Sequence, residues 1–592
     1  MSTTDSPAAA NPKSRGGRAA PDAPTRWDIG HDGTGGSLVE RVLRSRGLND
    51  SETAAEFLDV SLNRLHDPAA LPNIDEATGR ILAALTKRRP ITVYGDYDVD
   101  GMTASAILYH TLRTLEPEAD VDCYVPHRLD EGYGLHDEAL RQLNDAGRGL
   151  VISVDCGITA TQAAVTARDI GLELIITDHH NCPADTDLPD ATAIVHPRLT
   201  GSAYPFGELC GAGVAYKLAW RLAVAHADRP DGRASPAMRQ RLIDLLPFAA
   251  LGTIADMVPL EGENRILASV GLSRIRHTPF EGLSALIDAS GLAGEAVDAD
   301  AVGFRLAPRL NASGRMGHAR EAVELFTTAT GDRAREIAES LHRQNLDRQA
   351  VERSTVEQAS AMAHEAGMTG HDARAIVLAH SEWHPGVVGI VCSRLVERFA
   401  RPTVLLCQDG GSAKGSGRSI PGFNLHAALE ACSSCLRTFG GHDAAAGLSL
   451  DAEQIPAFTE AVLAYTRGQL SADDLVRRIR IDTAASIDEL TVEAVTQLER
   501  LRPFGRGNPR VRLLARDTQL ARSPETFGAH GKHLSLWLQH PGTPPIRCIA
   551  WNRGSERATL SRGQHIDAVL TPKVSSYSGR VEPVIEDIRP SG

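Results

Sequence analysis

Between Ile91 and Pro197 the chain alternates short apolar runs with amphipathic stretches. Ile91–Tyr94, Leu150–Val154, Leu172–Ile176 and Ala193–Val195 are apolar or β-branched along most of their length, as strands buried on both faces are. Thr103–Leu115 and Thr159–Ile170, lying between them, have helical periodicity. This alternation predicts an α/β fold with a doubly wound parallel sheet and helices on both faces. Residues 207–325 read as mostly helical, with loops at Gly252–Pro259 and Pro308–Gly317. From Asp332 to Ala366 the chain is polar and free of Gly and Pro, which predicts one long helix acting as a strut between domains. A second α/β unit follows: a strand at Arg374–Ala379, a helix at Val387–Phe399, a strand at Thr403–Leu406, a Gly/Ser-rich loop and a helix from about Asn424. Beyond a helical Glu489–Leu501 come five strand-like pieces, Val511–Leu514, Leu534–Leu538, Ile546–Trp551, Ile566–Thr571 and Val581–Ile585. Five short strands predict a small barrel of the OB type.

Residues 1–36 are rich in Ala, Pro, Gly, Ser and Thr, cannot offset the entropy of ordering, and are expected to be a disordered extension. The predicted domains are therefore 37–325 (first α/β domain), 326–367 (connecting helix), 368–472 (second α/β domain) and 473–592 (barrel).

Composition adjusts this picture in two places. The 75 acidic residues exceed the 62 basic ones, giving a formal net charge of −13 over 592 residues. Such a balance argues against a surface coated in nucleic acid, but it leaves room for local basic grooves and for carboxylates gathered around metal. The longest apolar stretch, Leu242–Leu260, is interrupted by Asp244, Pro247, Gly252, Asp256 and Pro259, so no membrane span is expected. The opening MSTTDSPAAANPKSRGG lacks the apolar core of a secretory leader. Nine scattered cysteines, with Cys432 and Cys435 the one CxxC pair, suit a reducing cytoplasm.

Gly95-Asp96-Tyr97-Asp98-Val99-Asp100-Gly101 directly follows an apolar strand. Three carboxylates at alternate positions repel one another unless water or a cation neutralises them. A solvated acidic turn would be the ordinary reading, but this motif sits at the carboxyl end of a buried strand, where α/β sheets bind ligands. Asp155 follows Leu150–Val154, and Asp178-His179-His180 follows Leu172–Ile176, at the same end. Adjacent strands are about 4.8 Å apart, so these groups can bracket two ions about 3.5–4 Å apart. Asp256, in the apolar Gly252–Pro259 stretch, suits a helix or turn cap as well as a ligand on spacing alone. Carboxylates and imidazole without Cys fit Mn²⁺, with Mg²⁺ the second choice, and the chemistry is phosphoester hydrolysis.

Together, the Gly95–Gly101 motif, Asp155, Asp178-His179-His180 and Asp256 resemble the DHH phosphoesterase superfamily, and their order resembles its RecJ exonucleases. Ser416-Gly417-Arg418-Ser419 and the Gly440–Gly447 motif are similar to the DHH-associated domain, and Leu501–Pro509 also looks RecJ-like. The resemblance implies that Asp98 and Asp155 bind one Mn²⁺, and that Asp100, Asp155, His179 and Asp256 bind the other. Asp96 would support the cluster, and His180 would contact the scissile phosphate or act as an acid. Arg128, Ser416 and Arg418 match residues that hold a 5′-phosphate. Tyr133 would stack a base or pack in its Gly turn. Arg309, Asn311 and Arg315 would touch the DNA backbone, unless the arginines are surface or ion-paired, and His442 would approach substrate or be structural.

The implied activity is a metal-dependent exonuclease acting 5′→3′ on single-stranded DNA and releasing 5′-mononucleotides in recombination and repair. The implied setting is a cytoplasmic monomer working with a helicase and a single-strand-binding protein. The alternatives are a DHH phosphodiesterase for oligonucleotides or cyclic dinucleotides, which the barrel argues against, and an inactive replication scaffold, which the intact acidic motifs argue against.

Overall fold

The computed structural model describes residues 23–31, 35–127, 131–183, 187–316 and 319–591. The chain divides into two compact units: residues 50–353 with 500–510, and the remainder. Its first element, the strand Thr25–Ile29 (β1), belongs to the second unit.

The first unit is built on the predicted parallel sheet. Its strands are Ile91–Tyr94 (β2), Val121–Tyr124 (β3), Leu150–Val154 (β4), Glu173–Thr177 (β5) and Ala193–Val195 (β6), in the order β3-β2-β4-β5-β6. Every pairing is parallel, with Ile91 opposite both Val121 and Leu150. Alternate residues feed two cores. Ile91, Val93, Ile152 and Val154 pack with the helices Val99–Leu115, Gly211–Ala227 and Pro236–Ala255, whereas Tyr94, Val151, Leu174 and Ile176 pack toward Asp137–Asp145 and Thr161–Asp169. Strand β3, half-buried along its length and polar at Asp122, carries no fully apolar run and escapes a pattern search. Because β3 lies on one side of β2 and β4 on the other, the chain reverses direction across the sheet at β2. This leaves a crevice at the carboxyl ends of β2 and β4.

Helices reach into both predicted loops, covering half of the first and the described part of the second. The helix Pro236–Ala255 includes Gly252 to Ala255 and ends on Asp256, whose N–H bonds Gly252 O and Ile254 O. Ala307–Met316 is helical despite Pro308. It follows a wider turn at Val302–Leu306, where Ala307 N–H reaches Val302 O, so the ladder is already offset where proline lacks its donor. The long helix runs over Gly331–Glu365 as expected, but it is not merely a strut: Ala334, Ile337, Ala338 and Leu341 are buried in the first unit's core.

In the second unit, Ile376–His380 (β7), Thr403–Asp409 (β8), Ser412–Arg418 (β9), Thr438–His442 (β10) and Ala445–Asp451 (β11) form a mixed sheet in the order β10-β11-β9-β8-β7. The Gly/Ser-rich segment predicted as a loop is strand β9, paired on both sides. The strands Arg477–Ile481 (β12), Thr483–Ala484 (β13), Leu513–Leu520 (β14), Glu525–Phe527 (β15), His533–Gln539 (β16), Ile546–Ala550 (β17), His565–Thr571 (β18) and Val584–Pro590 (β19) complete it. Pairing runs β14-β18-β19-β17-β16 and returns to β14 through Gln519 and Gln539, which closes the predicted five-stranded barrel.

Three predicted boundaries shift. Residues 1–22 and 32–34 lie outside the described residues, but β1, expected to be disordered, pairs in parallel with β12. Trp27 there donates from Nε1 to Asp587 Oδ2 at 2.8 Å and stacks under Arg589. The helix Leu38–Ser45, expected in the first α/β domain, joins this unit through Arg41 to Glu489 at 2.7 Å, followed by Arg46 to Asp482 at 2.9 Å. Residues 500–510, expected in the barrel domain, belong to the first unit instead: Leu260 N–H bonds Arg506 O at 2.8 Å, and buried Arg265 bonds the carbonyls of Arg500 and Leu501. No helix among the described residues is long and apolar enough to cross a membrane.

Candidate metal centre

The crevice at the carboxyl ends of β2, β4 and β5 gathers the acidic motifs. Asp98 caps the helix Val99–Leu115: its Oδ1 accepts from Asp100 N at 2.9 Å and Gly101 N at 3.1 Å. Asp100, on that helix's first turn, accepts from Gly211 N at 2.6 Å and Ala212 N at 2.9 Å, so its carboxylate faces the N-terminus of the helix Gly211–Ala227. Asp155 leaves β4 with φ of 61°, a left-handed conformation that Asp tolerates better than most residues. Asp256 arrives from the end of Pro236–Ala255.

His179 Nε2 lies at the middle of this set, 3.2 Å from Asp155 Oδ1, 3.6 Å from Asp256 Oδ2 and 3.8 Å from Asp100 Oδ2. Three overlapping groups each bring their ligand atoms within 4.8 Å of one another: Asp96, Asp98 and Asp155; Asp100, His179 and Asp256; and Asp155, His179 and His180. Two glycines make room for them. A Cβ at Gly211 would lie 2.5 Å from Asp155 Cβ, and one at Gly252 would collide with Asp100 Oδ1. Sequence reading passed over both, because what they clear is brought in by distant helices.

Without a cation the cluster is electrostatically frustrated. Burial pushes the Asp155 carboxyl well above its usual range, and Asp100, Asp98, Asp256 and Asp96 push it further. Burial, then Asp100 and Asp98, take Asp256 up to about 8. Asp100 is raised mainly by burial, and burial lowers His179 to about 4. Asp155 Oδ1 and His179 Nε2 are buried with no hydrogen-bond partner. Buried acceptors left unmatched in this way are what a bound cation would satisfy. The donors are hard oxygens with imidazole, and the nearby Cys156 and Cys210 thiols are driven strongly upward by burial, so no thiolate competes.

Asp178, the first residue of the DHH run, received no role from the sequence. Its Oδ2 accepts from Ile158 N at 2.9 Å, while its Oδ1 accepts from His179 N at 2.7 Å, His180 N at 3.1 Å and His180 Nδ1 at 2.7 Å. Burial opposes its charge, but these hydrogen bonds and the His180 charge outweigh it and hold the carboxyl well below the usual range. His180 responds in kind: burial lowers it, but Asp178 more than compensates and raises it to about 9. Tyr133, 48% exposed, points its hydroxyl at the His180 ring from 3.2 Å.

The other predicted residues fall in three places. On the helix Ala307–Met316, Arg309 donates to His342 Nδ1 at 3.2 Å, and Asn311 and Arg315 are half-buried. That helix meets the first acidic motif where Gly314 abuts Tyr97 O. In the second unit, Ser416 and Arg418 lie two apart on β9, both beside Gly389 in the helix Pro385–Phe399. His442 is exposed at the end of β10, next to the two-residue turn to β11. Arg128 lies outside the described residues.

Comparison with known proteins identifies the domains. Residues 90–250 match the DHH family, N-terminal domain, residues 372–468 match the DHHA1 domain, and residues 481–586 match the RecJ OB domain. The fold and its acidic crevice thus define a metal-dependent phosphoesterase of the DHH class. The single-stranded-DNA-specific exonuclease RecJ of Bacillus subtilis (strain 168) is 38% identical over 92% of this chain and 67% of its own length. RecJ of Dickeya dadantii is 36% identical over 80% of this chain and 82% of its own. The crystal structure of RecJ in complex with Mn²⁺ from Thermus thermophilus matches with a TM-score of 0.79 and 30% identity, covering 96% of this chain and 80% of that one. A Mg²⁺ complex of the Thermus protein matches at 0.73 with 29% identity, covering 96% and 79%. The chain belongs to the RecJ family.

Proposed function

We propose that this chain is a single-stranded-DNA-specific exonuclease that works 5′→3′ and releases 5′-mononucleotides. The observation that carries the reading is the convergence of Asp98, Asp100, Asp155, His179 and Asp256 at one end of one sheet, with buried acceptors left for a cation. Asp98 and Asp155 would hold one divalent ion and Asp100, Asp155, His179 and Asp256 the second, with Asp155 common to both sets and Asp96 supporting the first. Two divalent ions in such a site supply Lewis-acid polarisation of the phosphodiester and activation of water.

The protein's own groups do the rest. Asp178 holds His180 by Nδ1, and Nε2, 3.3 Å from the Tyr133 hydroxyl, carries the proton. As water adds to phosphorus and the bond to the 3′-oxygen breaks, His180 donates that proton to the leaving oxygen. Arg128, Ser416 and Arg418 grip the 5′-phosphate by charge-assisted hydrogen bonds. Tyr133 stacks the terminal base, Arg309, Asn311, Arg315 and His442 contact the strand, and the barrel holds the 3′ portion by stacking and charge. A monomeric state, a cytoplasmic location and partnership with a helicase and a single-strand-binding protein, in DNA recombination and repair, belong to the same proposal.

The test offers 5′-labelled single-stranded DNA, duplex DNA and RNA with Mn²⁺ to the protein and to Asp155→Ala. Long single-stranded DNA is shortened from its 5′ end, and Asp155→Ala leaves it intact. Cleavage of dinucleotides with sparing of long strands, or full activity in Asp155→Ala, would overturn the reading.

A further inference from the structure

A strand of phosphodiesters approaching an acidic crevice needs cations at its rim. The crevice opens on the side of Asp256, whose side chain is 24% exposed against 3% for Asp155 and 0% for Asp100. The chain continues through Met257, which is 66% exposed with φ of 59°, then turns at Pro259 and meets the segment 500–510. There Leu260 N–H bonds Arg506 O at 2.8 Å. The turn carrying Arg506 is rigid: Gly505 N–H bonds Asn508 O at 2.8 Å, and the buried Asn508 amide donates to Leu501 O at 2.7 Å and Pro503 O at 2.8 Å. Gly505 and Gly507 sit so close to Leu260 and Glu261 that a Cβ would lie 2.7 Å and 2.9 Å from them.

On this fixed turn the Arg506 head is exposed. It makes one long hydrogen bond, 3.4 Å to Met257 O, and among the described residues it forms no ion pair.

We infer that Arg506 binds a backbone phosphate of the single strand at the rim of the metal centre, with Met257 as its apolar neighbour. The inference rests on the exonuclease reading and adds a residue that the sequence and the metal cluster left unassigned. An arginine on a rigid turn whose side-chain hydrogen bond is long loses little when it exchanges a carbonyl for a phosphate, and the new bond is charge-assisted. Its contribution is to binding rather than to the chemical step.

The experiment measures kcat, KM and the salt dependence of KM on a single-stranded oligodeoxynucleotide for the wild type, Arg506→Ala, Arg506→Lys and Arg506→Glu. Anisotropy binding to the same oligonucleotide, Mn²⁺ titration and thermal melting accompany each variant. Arg506→Ala raises KM about tenfold, the scale of one lost charge-assisted contact. It also flattens the slope of log KM against log salt by about 0.7, the value for one phosphate on a single strand. Arg506→Lys restores the slope, and Arg506→Glu weakens binding further. An unchanged KM and slope overturns the inference, as does a fall in kcat with weaker Mn²⁺ binding, which would make Arg506 a support for the Asp256 turn. Failure of the wild type to degrade single-stranded DNA would instead sink the exonuclease reading.

Discussion

Asp178→Asn isolates the residue that holds the imidazole of His180, the proposed general acid. The carboxylate is 1% exposed and accepts four hydrogen bonds, three on Oδ1 and one on Oδ2. Asparagine retains one acceptor oxygen. Set at the Oδ1 position, it keeps the bonds from His179 N, His180 N and His180 Nδ1, but its amide then faces the N–H of Ile158. Two buried donors in opposition cost about 1–3 kcal/mol of stability. The larger effect is on chemistry: His180 loses the anion that fixes its ring and its proton, and kcat should fall about 10²- to 10⁴-fold, the range of a positioned general acid. Mn²⁺ affinity should change little, because Asp178 is not in the proposed ligand set. The assay is steady-state kinetics on 5′-phosphorylated single-stranded DNA with calorimetric Mn²⁺ titration, for Asp178→Asn, His180→Gln and the double variant. If Asp178 acts through His180, the double variant is no slower than His180→Gln. A kcat within threefold of wild type in a folded Asp178→Asn protein, or additive losses in the double variant, would refute the argument.

Other consequences follow from buried groups around the site. Lys217 and Glu263 are 0% and 1% exposed and pair at 2.5 Å, with Tyr204 also bonded to Glu263. Lys217→Met strands that carboxylate and should destabilise the protein by about 3–5 kcal/mol, whereas Lys217→Met with Glu263→Gln recovers much of the loss in denaturant melts. His110, enclosed by Phe248 and Phe280, is lowered by burial to about 4 from an ordinary 6.5. Below pH 6.5 the unfolded chain takes up a proton that the folded one refuses. Stability is therefore lost as pH falls toward 4, by about 2 kcal/mol between pH 7 and 5. His110→Gln should lessen that pH dependence, and an unchanged dependence would contradict the assignment. Arg418→Ala should reduce the preference for 5′-phosphorylated over 5′-hydroxyl ends, and equal losses on both would count against the pocket.

The sequence by itself determined four of the five strands of the first unit's parallel sheet and most of the cluster at their carboxyl ends. Strands buried on both faces must be apolar throughout, so Ile91–Tyr94 and Leu150–Val154 are legible from local pattern alone. Their ends are legible too, because Asp98, Asp100, Asp155 and His179 are polar residues placed where the apolar run stops. The net charge of −13 was a poor guide: part of the acidic surplus belongs to carboxylates that want a cation, and the proposed phosphate contacts are individual arginines.

Tertiary structure decided whatever depends on distant partners. β1 has five residues in an Ala- and Pro-rich surround, and it is a strand because β12, some 450 positions later, pairs with it. β9 reads as a Gly/Ser loop until neighbours on both sides supply its hydrogen bonds. Asp256 suits a cap or a ligand equally well on spacing, and only the packing of the helix Pro236–Ala255 against the helices Val99–Leu115, Gly211–Ala227 and Gly262–Arg274 carries it to His179. Gly211, Gly252 and the turn at Arg506 matter for the same reason. Each is set by what another part of the chain brings within a few ångströms, and a local pattern cannot encode that distance.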